Sequence, residues 1–102
     1  MTEKYEVVTL CGSTQFKEDF IQIQKALTLK GKIVISVGFF EHTDVITDEQ
    51  KLMLDDMHKR KIEMSDTIFV INKGGYIGKS TMSEIEYAKS IGKKIEYLEK
   101  QS

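Results

Sequence analysis

Four short runs rich in β-branched and apolar residues alternate with three longer stretches whose apolar residues recur at helical spacing, and this alternation leaves few folds open. Val7-Val8-Thr9-Leu10 reads as a first buried strand. After Gly12-Ser13-Thr14 the chain turns into a helix whose face is marked by Phe16, Phe20, Ile23 and Leu27, and Gly31 ends it. Residues 33–37 are a second strand, followed by a longer connection over residues 38–47. Thr47 and Gln50 have capping-box spacing, so a second helix should start there, with Met53, Met57 and Met64 as its apolar stripe and Ile62 close by. Residues 67–71 are a third strand. Ser80 or Thr81 should open a third helix carrying Met82, Ile85, Ala88 and Ile91, ended by Gly92, and residues 95–98 are the last strand.

A βαβαβαβ pattern implies one domain over residues 1–102, an α/β three-layer sandwich of the Rossmann or flavodoxin-like kind. Its helices cover both faces of a four-stranded parallel sheet. Right-handed crossovers favour strand order 2-1-3-4, which puts a switch point between strands 1 and 3. Ligands in such sheets bind beyond the carboxyl ends of the strands at that point. The turns after strand 1 (residues 11–15) and strand 3 (residues 72–80) should therefore face one crevice.

Composition narrows the function classes. The formal net charge is -1 and no basic run stands out, which argues against nucleic acid as a partner. No apolar run reaches the ~18 residues of a membrane span, and the first residues lack the apolar core of a signal peptide. A single cysteine, Cys11, forms no internal disulfide, so a cytoplasmic, reducing setting is expected. Cys11 itself is expected to pack against the first helix.

Candidate chemistry gathers in the two turns. Gly12, Ser13, Thr14 and Gln15 suit a phosphate-binding turn leading into a helix N-terminus, and they equally suit an ordinary helix cap. The stretch Gly78-Lys79-Ser80-Thr81-Met82-Ser83-Glu84 brings hydroxyls and main-chain amides to another helix start. Together with Gly74 and Gly75 it approaches a Walker A loop but is one residue short, so nucleoside triphosphate hydrolysis is not expected. Glu84 has two readings. Thr81-x-x-Glu84 fits a capping box, or Glu84 is a nucleophile or base kept ionised by the helix dipole. Asp55 and His58 are i,i+3 neighbours able to pair, and His58 is either a surface residue or a proton carrier. His42 and His58 lack metal-ligand spacing, so no zinc site and no cofactor are expected. Phe39 and Phe40 suit base stacking or the core equally.

Three segments carry a resemblance to a known family. Thr9-Leu10-Cys11-Gly12-Ser13-Thr14 with Lys17-Glu18-Asp19, the run over residues 61–71, and Ser80-Thr81-Met82-Ser83-Glu84-Ile85-Glu86-Tyr87-Ala88 with Gly92-Lys93-Lys94-Ile95 resemble the nucleoside 2-deoxyribosyltransferase superfamily, which includes deoxynucleoside 5'-monophosphate N-glycosidases. The resemblance implies that Glu84 is the nucleophile. It also implies that Ser13, Thr14 and Gln15 approach sugar and phosphate, and that Ser80, Thr81 and Ser83 close over the ligand. The family usually has an aspartate eight residues before the position matched by Asp66, and here that residue is His58. The resemblance further suggests a homodimer.

The activity expected is N-glycosidic hydrolysis or deoxyribosyl transfer on a small nucleotide-type molecule, with His58 or a water as proton donor. The alternative is a non-catalytic nucleotide or phosphosugar sensor.

Overall fold

The computed structural model describes residues 5–40 and 43–100. Its elements follow the order β1 (Val7–Gly12), α1 (Lys17–Leu29), β2 (Ile33–Ile35), α2 (Asp48–Met64), β3 (Thr67–Ile71), α3 (Lys79–Ser90) and β4 (Lys94–Tyr97). All strand pairs are parallel and the sheet runs β2-β1-β3-β4, the order expected from the sequence. The second strand is shorter than its apolar run suggests, because pairing with β1 stops at Ile35. Among the described residues no helix is long and apolar enough to cross a membrane.

Side chains of β1 alternate between two cores, as the two-residue period of a strand demands. Val8 and Leu10 join Phe20 and Leu27 of α1 and Ile71 of β3 in one cluster. Cys11 points the other way, into a cluster with Ile62 of α2, Ile68 and Val70 of β3, and Ile85 and Ala88 of α3. The expectation that Cys11 packs against the first helix is thus corrected, since one residue of strand register separates the two faces. The helix faces divide accordingly, with α1 below the sheet and α2 and α3 together above it.

Two helical stripes also differ from the sequence reading. On α2, Met53, Met57 and Met64 are exposed, while His58 and Ile62 are buried. On α3, Met82 and Ile91 are exposed and Thr81, Ile85 and Ala88 face inward. In both cases the inward face carries a polar residue at helical spacing, and a search for apolar residues alone picks the neighbouring face. The α2 start holds as expected, with Thr47 and Gln50 forming a complete capping box.

The end of the sheet is tied by Asn72, fully buried just beyond β3. Its Nδ2 donates to the Glu99 carbonyl at 3.0 Å, and its Oδ1 accepts the Glu99 N–H at 2.8 Å. Asn72→Ala strands two main-chain groups, so a loss of about 2–3 kcal/mol is expected, readable as a drop of roughly 10 °C or more in melting temperature. An unchanged melting temperature would show that the clamp contributes nothing.

Candidate functional site

The carboxyl ends of β1 and β3 lie side by side, with Gly12 in register with Ile71. Connections run from β1 to one side and from β3 to the other, so this is the switch point of the sheet. Gly12 leaves β1 with φ 154°, a backbone setting that favours glycine. Ser13 then accepts the Gln15 N–H at 3.3 Å and caps a short 3₁₀ turn, Thr14–Phe16, before α1 begins. On the neighbouring rung Gly78 caps α3, with no side chain covering the first amides.

Between these loops lies a cavity of about 510 Å³, within the range of small-molecule sites. Gly12, Ser13 and Thr14 form one wall, and Gly78, Lys79, Ser80, Thr81 and Glu84 a second. Helix α2 supplies Lys51, Leu54, Asp55, His58 and Lys61, and Phe40 and Tyr76 stand at the mouth. Six candidates on the two loops (Gly12, Ser13, Thr14, Gly78, Ser80 and Thr81) therefore meet Glu84 and His58 in one place. Gln15 and Ser83 are exposed and do not line it. Ser83 lies one position before Glu84 on α3, and a helix turns adjacent residues to different faces. The two phenylalanines divide as well. Phe39 packs edge-on against Phe20 in the core, and Phe40, 53% exposed, lines the cavity.

His58 and Glu84 line the cavity, and Cys11 lies fully buried behind them: Cys11 Sγ is 3.3 Å from His58 Nε2, which is 3.5 Å from Glu84 Oε1. The His58 and Glu84 side chains are 8% and 18% exposed. The helix begins at Lys79, earlier than Ser80 or Thr81, so Thr81 sits buried within it and the Thr81–Glu84 capping box does not form. The Glu84 carboxyl faces the cavity floor instead.

Starting the helix earlier has an electrostatic result. Glu84 lies in the second turn, where the helix dipole has largely faded. Burial then dominates and pushes its pKa from 4.5 to about 7, partly offset by the Cys11 thiol. Asp55 adds to the rise and Lys59 opposes it. A carboxylate held ionised by the dipole is thus replaced by a carboxyl poised to titrate near neutrality. Burial likewise lowers His58 to about 4, with Lys61 adding to it and Asp55 opposing. Its imidazole is therefore uncharged at neutral pH and offers no imidazolium proton. Burial also drives the Cys11 thiol well above its ordinary value, with the Glu84 charge contributing.

Cys11, His58 and Glu84 each present one donor atom, all within 4.8 Å of one another. The expectation of no zinc site rested on the spacing of His42 and His58 and on Cys11 adding little; His42 lies outside the described residues, and Cys11 lies beside His58. These three residues instead converge from β1, α2 and α3. Sequence reasoning also missed Lys51, Lys61, Lys79 and Tyr76 as cavity residues. Leu54, His58 and Lys61 follow i,i+4,i+7 spacing, a signal legible once His58 is taken as the inward residue of α2. No protein-family model and no curated protein matches the chain.

Proposed function

We propose that this protein cleaves or transfers the N-glycosidic bond of a nucleotide-type substrate, with Glu84 as nucleophile. What carries the reading is the position of Glu84, inside a nucleotide-sized cavity walled by the two hydroxyl- and amide-bearing loops at the switch point. The resemblance to the nucleoside 2-deoxyribosyltransferase superfamily agrees with that position. The uncapped amides at the start of α3, with Lys79, suit a phosphate or sugar oxygen. Phe40 and Tyr76 offer aromatic faces for a base.

In this mechanism the Glu84 carboxylate attacks the anomeric carbon as the bond to the base breaks. The departing base nitrogen takes a proton from water, since the His58 imidazole carries no positive charge to lose. The hydroxide left by that water then attacks the anomeric carbon and frees the Glu84 carboxylate, or it takes the N–H proton of another base that does so. His58 acts by holding Glu84 through the 3.5 Å contact. Incubation with deoxynucleoside monophosphates, followed by chromatography for free base, tests the reaction. No free base from any of them would refute it.

An uncharged His58, where the family usually has an aspartate, favours a second reading: a nucleotide sensor that binds without turnover. A nucleotide panel read by thermal shift separates the two, because a sensor is stabilised and yields no product. Either reading predicts that Phe40→Ala weakens nucleotide binding by roughly 5- to 150-fold, since aromatic stacking on a base contributes about 1–3 kcal/mol. Titration calorimetry measures it, and unaltered affinity would remove Phe40 from the base site.

A further inference from the structure

We propose that Cys11, His58 and Glu84 form a site for one thiophilic divalent cation, zinc above all, with its fourth coordination position open to the cavity. Zinc bonds of about 2.3 Å to sulfur and about 2.0–2.2 Å to nitrogen and oxygen, set tetrahedrally, place ligand atoms ~3.3–3.6 Å apart. Here Sγ and Nε2 are 3.3 Å apart and Nε2 and Oε1 3.5 Å, so two of the three edges already have tetrahedral length. The third edge, Sγ to the carboxylate, falls within 4.8 Å. The donors come from β1, α2 and α3, which pack in one core cluster, so the fold holds them together without an ion.

The donor set also selects the ion. One sulfur, one imidazole nitrogen and one carboxylate suit a borderline-soft metal and do not suit magnesium or calcium, which take oxygen ligands. Three protein ligands beside an open cavity are the arrangement of zinc sites that accept a further ligand. On binding, the Cys11 S–H bond breaks, its proton passes to solvent, and the sulfur electron pair forms the metal bond. The site does not depend on the glycosidase reading. If that reading holds, zinc occupies the nucleophile's own oxygen and switches the reaction off.

Cobalt(II) serves as the spectroscopic probe. Added to the chelator-treated full chain, it is expected to give a near-ultraviolet thiolate-to-cobalt charge-transfer band and intense visible bands of tetrahedral cobalt. Both should saturate at one ion per chain and be displaced by zinc. Cys11→Ser should lose the charge-transfer band. Glu84→Gln should keep that band and bind cobalt more weakly by at least the ~10–100-fold that loss of mere supporting contacts costs a metal site. Glu86→Gln, on the exposed face of α3, should change nothing. No charge-transfer band in the wild-type chain overturns the proposal. So does a band that survives in folded Cys11→Ser or, should that variant not fold, unweakened binding by Glu84→Gln. None of these readings uses turnover, so failure of the glycosidase reading leaves them intact.

Discussion

Replacing Glu84 by glutamine is expected to abolish base release and, at alkaline pH, to raise the melting temperature. The two effects share one cause. Glutamine keeps the shape of the side chain but has no anionic oxygen to attack the sugar, so a loss of at least ~10²–10⁴-fold is expected, the scale of a positioned catalytic group. The stability effect follows from burial. Glu84 binds its proton up to about pH 7 in the folded chain and only to about 4.5 in its ordinary state. Between those values the folded state holds more protons than the unfolded one, so stability is complete below the lower value and falls as pH rises through the upper. The full difference is on the order of 3 kcal/mol, and glutamine escapes it. The same ionisation gives base release its pH dependence. In chelator-treated protein the rate should climb with pH and level off above about 7, the carboxylate being the reactive form. The groups acting on that ionisation are Cys11 from β1 and Asp55 and Lys59 from α2, with the neutral His58 alongside. Unchanged turnover in Glu84→Gln sinks the nucleophile assignment. An unchanged melting temperature at alkaline pH would mean that the carboxyl is not buried as described.

Gly12→Ala is expected to damage the fold and the site together. A Cβ at this position would lie 2.9 Å from the Ile71 carbonyl oxygen and 3.2 Å from the Ile71 Cβ, both on the adjacent central strand. The oxygen belongs to the backbone and has little room to yield, and φ of 154° disfavours any side chain. Backbone strain of about 1–3 kcal/mol and overpacking of similar size add to roughly 2–6 kcal/mol. That is a large share of the ~5–15 kcal/mol that keeps a domain folded. Urea unfolding measures the loss, and a change below about 1 kcal/mol would show that β1 and β3 can separate freely there. A chain that still folds should bind nucleotides poorly, because Ser13 and Thr14 hang from the displaced residue.

Much of this architecture can be read from the chain. The 2-1-3-4 order follows from the alternating pattern and the handedness of crossovers, and Thr47 with Gln50 marked the start of α2 by their own hydrogen-bonding chemistry. What escaped the reading are positions where burial and polarity conflict. Apolar character pointed to Met53 and Met57, although α2 buries His58, because a site needs a polar group in the face that meets the sheet. Thr81 misled in the same way. As a hydroxyl it reads as a cap, yet it is the third residue of α3, which begins at Lys79, and that shift in the helix start decides whether Glu84 feels the helix dipole. The meeting of Cys11 with His58 spans 47 positions, a separation that no local spacing encodes.

The pairing of Gly12 with Ile71 also divides labour within the cavity. Cys11, His58 and Glu84 hang from the central strand β1 and from the two helices packed on that face of the sheet. Val37, Gly38, Phe40 and Ile46 reach the cavity from the stretch beyond β2, an outer strand only three residues long. Mutation can therefore reshape the rim of the cavity while the residues below stay fixed. A lineage carrying this scaffold would be expected to diversify in what it accepts long before it changes what it does.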